Sequence, residues 1–136
     1  MYKTDKQKIV IAESQVRGIL ALEKVLEFHD VEIISTTDGS EVIDLVKKHK
    51  PYLVIMNLLV KEMNGFRLIE LLKKLNGDIQ PYIVVVSELN TIEYIEECYV
   101  LGATAYFTKP YCFADLSEIV QTLRFENSLK NSMISS

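Results

Sequence analysis

Three apolar runs, each closed by one small polar or charged residue, constrain this chain most: Ile9-Val10-Ile11-Ala12-Glu13, Val54-Ile55-Met56-Asn57 and Val84-Val85-Val86-Ser87. A strand with one wet face would alternate apolar and polar residues. These runs do not alternate, so both faces of each strand must be covered, as in the middle of a parallel sheet with helices on either side. In open sheets of that kind, chemistry gathers where the strands end. A carboxylate, an amide and a hydroxyl end these three, and Lys109 ends a fourth, so Glu13, Asn57, Ser87 and Lys109 outline one candidate pocket. Its acid content is low for its cation.

The rest of the chain supplies the partners those strands need. Strand 1 is expected over about residues 7–12, after a short polar leader at residues 1–6. Ser14 is placed to cap a helix whose apolar positions are Val16, Ile19, Leu20, Leu22, Val25 and Leu26. Gly18 costs that helix about 1 kcal/mol in propensity, which a close packing contact would explain. Val31–Ser35 alternates enough for a strand nearer the sheet edge. Asp38 and Glu41 have capping-box spacing, and Val42, Leu45, Val46 and His49 mark the buried stripe of a second helix. His49, alone at a helix end, suits the helix dipole better than a ligand role. Strand 3 spans Leu53–Asn57. Asn64-Gly65 opens a helix with Leu68, Leu71, Leu72 and Leu75 on one face, and Asn76-Gly77 stops it. Tyr82–Val86 is strand 4. Asn90 caps a helix running to about Leu101, which Gly102 ends. Ala105–Thr108 is a short strand 5, Lys109-Pro110 a turn, and Leu116, Ile119, Val120 and Leu123 the final stripe. Residues 1–126 form one domain, and 127–136 a polar tail or, through Leu129 and Met133, an extension of the last helix.

Five strand–helix pairs with right-handed crossovers give an α/β three-layer sandwich. The natural solution is a flavodoxin-like (βα)5 fold with a parallel five-stranded sheet in the order 2-1-3-4-5, whose switch point lies between strands 1 and 3. Glu13 and Asn57 then sit side by side at its mouth. The formal charge of −4 lacks the basic footprint of a nucleic-acid binder. No apolar run approaches the roughly 18 residues of a membrane span, and no secretory core follows the start. We expect a cytoplasmic protein that contacts neither nucleic acid nor membrane. Cys98 and Cys112 lack metal-like spacing and are expected to be reduced and partly buried.

Over about residues 7–125 the chain resembles the receiver domains of two-component response regulators (the CheY-like superfamily). The resemblance rests on the pieces around Ala12-Glu13, Thr37-Asp38-Gly39, Pro51 to Asn57, Met63-Asn64-Gly65, Val86-Ser87, Gly102-Ala103 and Lys109-Pro110, in order and at receiver spacing. It implies an acidic pair at Ala12 and Glu13, a phosphoaccepting aspartate at Asn57, a switch hydroxyl at Ser87, a switch aromatic at Tyr106, and a lysine with a cis-proline at Lys109 and Pro110. Two of these roles are lost: Ala12 replaces an acid and Asn57 replaces the phosphoacceptor. The Met-Pro usual after strand 3 is Val60-Lys61. An experimenter removing phosphorylation needs one change only, so three departures argue for a naturally altered pocket.

The losses have chemical consequences. A carboxylate can attack phosphorus while a divalent metal holds the incoming oxygens, whereas the Asn57 amide is neutral and offers no comparable nucleophile. Mg²⁺ prefers octahedral oxygen ligands including one or two carboxylates. Glu13, the Asn57 amide oxygen and the Leu59 carbonyl are the weak candidates left, so the expectation is weak or absent Mg²⁺ and no other cofactor. Glu13 and Lys109 would then pair directly. Lys109 as a solvent-exposed turn charge, Ser87 as a plain cap and Tyr106 as a core aromatic are the competing readings.

Receivers signal through the face of helix 4, strand 5 and helix 5, and this directs attention to Glu93, Tyr94, Glu97, Tyr99, Tyr106 and Tyr111. A solvated, well-capped acidic face is the competing account. The sequence reading is a phosphorylation-independent receiver, not an enzyme, that regulates by binding a protein partner or itself through that face, as a single-domain protein or a piece of a longer one. The alternative is a working phosphorelay receiver accepting a phosphoryl group from a histidine kinase. A flavodoxin-like flavin carrier is disfavoured because Glu13 stands where a phosphate would sit, and a hydrolase because there is no paired carboxylate and no His near a nucleophile.

Overall fold

In the computed structural model, which describes residues 6–135, alternation decides which layer each strand residue feeds. The strands are β1 Gln7–Ala12, β2 Val31–Thr36, β3 Leu53–Met56, β4 Tyr82–Ser87 and β5 Ala105–Thr108. They form one parallel sheet in the order β2-β1-β3-β4-β5, the flavodoxin-like arrangement expected. The helices are α1 Val16–Leu26, α2 Val42–His49, α3 Gly65–Lys73, α4 Ile92–Leu101 and α5 Phe113–Ser135, with 3-10 turns at Gly39–Glu41 and Gly77–Ile79. Val10, Ala12, Val54, Met56, Ile83 and Val85 face α2, α3 and α4. Ile9, Ile11, Leu53, Ile55, Val84 and Val86 face α1 and α5. Both sets are fully buried, which is why the central runs lack a polar face. Of the polar leader, residues 1–5 lie outside the described residues.

Local chemistry departs from the sequence reading at several helix starts. Ser14 does not cap α1: Gln15 holds that position without a side-chain bond, and the Ser14 hydroxyl, like its amide, is turned to the Glu13 carboxylate. Val16 and Leu20 point to solvent, leaving Ile19, Leu22, Val25 and Leu26 as the buried stripe. Asp38 accepts from the Ser40 amide and caps the 3-10 turn, so α2 starts later, at Val42, without a capping box. Asn64 caps α3 by accepting from the Phe66 and Arg67 amides. At α4 the cap residue is Thr91 instead of Asn90, again without a side-chain bond. Gly102, at φ 118°, ends that helix in the left-handed conformation that favours glycine. α5 continues without a break past residue 126 to Ser135. Both cysteines are free, but Cys112 is exposed, not partly buried. Burial pushes the Cys98 thiol up to about 11, with the Glu97 charge adding to it.

Candidate functional site

The parallel register brings the ends of β1, β3 and β4 level, and their next residues are the polar ones. Glu13, Asn57 and Ser87 are buried there, at 2%, 1% and 0% exposure. Buried polar groups must be satisfied, and each of these is. Glu13 Oε1 accepts from Asn57 Nδ2 at 2.8 Å and from the Ser14 amide at 2.9 Å. Its Oε2 accepts from Lys109 Nζ at 2.5 Å. The Asn57 Oδ1 accepts from the Leu59 amide at 3.0 Å. The carboxylate thus bridges β3 and the turn after β5. Lys109 is therefore a pocket residue and not a turn charge in solvent.

Two residues complete this network. Glu88, which was not singled out from the sequence, places Oε1 3.4 Å from Lys109 Nζ. Partial burial pushes its carboxyl up, but its backbone hydrogen bond, the Lys109 charge and hydrogen bonds from Lys109 and Asn57 outweigh this and hold it below the ordinary carboxylate range. Its position immediately after the strand-ending Ser87 was the available signal. Gly18 is the second: a Cβ there would come within 2.4 Å of Glu13 Cγ. The close packing expected at Gly18 is thus a contact with the site carboxylate.

Ser87 Oγ accepts from the Leu89 amide at 3.2 Å, while the Tyr106 hydroxyl donates to the Leu89 carbonyl at 2.5 Å. The loop after β4 is thereby pinned at one residue from both sides. Burial raises the Tyr106 hydroxyl pKa. Tyr99 accepts from the Tyr106 amide at 3.1 Å, covering one donor on the outer edge of β5. Glu93, Tyr94, Glu97 and Tyr99 are exposed on α4. Tyr111, expected on the same face, lies instead on the α1 side. There it stacks with Phe113 at 5.6 Å and, with Gln15, Arg17, Ala21 and Leu59, lines a cleft of about 690 Å³ leading to Glu13 and Lys109. The turn residue Pro110 follows a cis peptide bond. Ala12, at 0% exposure, brings only a methyl group to the end of β1.

A strand-end pocket on a 2-1-3-4-5 sheet, with its lysine and cis-proline, matches a known family. The response regulator receiver domain profile fits residues 9–121. The chain belongs to the response regulator receiver domain family. It is 24% identical over 126 residues to sporulation initiation phosphotransferase F of Bacillus subtilis, covering 93% of this chain and 98% of that one. It is 28% identical over 116 residues to the transcriptional regulatory protein PdtaR of Mycobacterium tuberculosis, covering 85% of this chain and 55% of that protein. The signal receiver domain of a DNA-binding response regulator from Colwellia psychrerythraea shares the fold, with TM-score 0.79 and 24% identity over 86% of this chain and 97% of that one. This receiver is therefore a signal-transduction domain. Among its described residues, no helix is long and apolar enough to cross a membrane.

Proposed function

We propose that this receiver works without phosphorylation, as a regulatory module that binds a protein partner or a second copy of itself. The observation that supports the proposal is the closed pocket: the neutral Asn57 amide stands at the end of β3, and the buried Glu13 carboxylate beside it is already committed to Lys109, Asn57 and Ser14. A divalent cation does not fit these residues. Glu13 has no oxygen left uncommitted, the Asn57 oxygen is taken by the Leu59 amide, and Ala12 has no ligand to give. The Lys109 ammonium supplies the positive charge that a metal otherwise would, so the pocket is electrostatically complete as it stands. Incubation with Mg²⁺ and acetyl phosphate, followed by intact mass measurement, is expected to show no phosphoryl gain. A stoichiometric gain mapped to the pocket overturns the reading.

The proposed surface is α4 with β5 and the adjoining side of α5. Ile92, Tyr94, Tyr99 and Val100 are exposed large side chains there, beside Glu93, Glu96 and Glu97. Aromatic residues ringed by charge suit a protein interface. Such a module has to be switched by a ligand that prefers one of two states, with the Ser87–Leu89–Tyr106 linkage as the element nearest the pocket. Pull-down with the unphosphorylated chain is expected to lose its partner on reversal of Glu93 and Glu96 to Lys. Unchanged capture places the interface elsewhere. The proposed setting is the bacterial cytoplasm.

A further inference from the structure

The bonds that close the pocket also assemble the parts of a condensation. A primary amine, Lys109 Nζ, and a carboxamide, Asn57, are hydrogen-bonded to the two oxygens of one carboxylate, at 2.5 and 2.8 Å. Both groups are therefore anchored on the same side chain, in a site where Glu13 and Asn57 are at most 2% exposed. Fixed juxtaposition of this kind replaces a bimolecular encounter. We propose that Lys109 and Asn57 form an intramolecular isopeptide bond, Nζ to Cγ, with loss of ammonia. The cross-link ties the end of β3 to the turn after β5. It goes beyond the interaction reading but starts from the same pocket, and mass tells the two apart: ammonia lost for the cross-link, a phosphoryl group gained for a working receiver.

Each step has a residue in place. The Lys109 ammonium gives one proton to Glu13 Oε2, and the freed lone pair attacks Cγ. The C=O electrons move onto Oδ1, where the Leu59 N–H, 3.0 Å away, is already donating and steadies the developing negative charge. Nζ passes a second proton to Glu88, whose carboxylate is 3.4 Å from it. The electrons then return from Oδ1, the Cγ–Nδ2 bond breaks, and the leaving nitrogen takes the proton held by Glu88, which also hydrogen-bonds the Asn57 side chain. The ammonia released accepts the proton on Glu13 and departs as ammonium through the cleft. Nζ keeps one hydrogen as the new amide N–H, so atoms and charge balance without an oxidant. The carboxamide makes the reaction available, because a carboxylate at position 57 would be an anion that resists attack.

The test is the intact mass of the purified chain, followed over days at neutral and mildly alkaline pH. The expected wild-type product is lighter than the sequence mass by one ammonia. Proteolysis and tandem mass spectrometry are expected to yield a branched peptide joining Asn57 to Lys109. Lys109→Arg and Glu13→Gln are expected to stay at full mass. Succinimide formation at Asn64-Gly65 or Asn76-Gly77 also expels ammonia, so the branched peptide is the deciding readout. A wild-type chain that stays at its sequence mass, an ammonia loss mapped to either Asn-Gly pair alone, or a Glu13→Gln chain that cross-links as fast as wild type overturns the proposal.

Discussion

Gly18→Ala sets helix propensity against the geometry of the site. Removing a glycine from the interior of a helix ordinarily stabilises it by about 0.5–1 kcal/mol. Here the new Cβ would stand 2.4 Å from Glu13 Cγ and 2.6 Å from Cδ, and Glu13 is 2% exposed with both oxygens bonded. The carboxylate must move. Hydrogen bonds to charged groups are worth roughly 1.5–3 kcal/mol each, so weakening those to Lys109 and Asn57 outweighs the propensity gain. The net expectation is a destabilisation of about 2 kcal/mol. With a urea slope of about 1–3 kcal/mol/M, the unfolding midpoint falls by roughly 1 M, read by far-ultraviolet circular dichroism. The Glu13→Ala background removes the clash, so Gly18→Ala there should stabilise by about 0.5–1 kcal/mol. A change of sign between backgrounds is the signature. Gly18→Ala stabilising the otherwise unaltered chain would refute the packing argument.

Other expectations follow from single contacts. Gly65→Ala places a Cβ 2.6 Å from backbone atoms of Leu58. Because backbone cannot swing aside, the loss should reach about 3 kcal/mol, within the range for overpacked sites, measured by the same urea unfolding. Tyr106→Phe removes the hydroxyl that donates to the Leu89 carbonyl; it should cost about 1 kcal/mol and shift the Leu89 and Asn90 amide resonances. Tyr99→Phe leaves the Tyr106 amide on the open sheet edge without its hydroxyl acceptor, and hydrogen exchange there should speed up several-fold. His29 is held below its ordinary 6.5 by burial, with the Arg124 charge acting in the same direction. Its folded pKa is depressed, so the unfolded chain takes up the proton first. Stability should therefore fall as pH drops from 6.5 through the folded value, and His29→Gln should flatten that part of the urea-midpoint profile.

The fold was legible because the central strands had to be apolar on both faces, and nothing else in Ile9–Ala12 or Val84–Val86 competes with that reading. The pocket was legible for the same reason: a polar residue directly after such a run can only sit at the strand end. Helix starts were less so. Ser14 has the right chemistry for a cap, but a buried carboxylate next to it had the stronger claim on its hydroxyl. Leu20 keeps helical spacing yet faces water, since spacing fixes a stripe only to within its width and Ile19 and Leu22 already fill the buried side. Tyr111 was misplaced because one residue beyond Pro110 the chain turns toward α1, a direction that no periodicity encodes. Glu88 was missed because its place after Ser87 does not by itself separate it from other surface acids; only its 3.4 Å approach to Lys109 does.

The most direct test of phosphorylation independence is an amide NMR titration with Mg²⁺ and beryllofluoride, a phosphoryl mimic, read at Glu13, Asn57, Leu59 and Ser87. The closed Glu13–Lys109–Asn57 network predicts spectra that do not change as the mimic is added. Saturable shifts at those four amides, extending through Leu89 to Tyr106, would show a pocket that still opens to a phosphoryl group and would contradict the account.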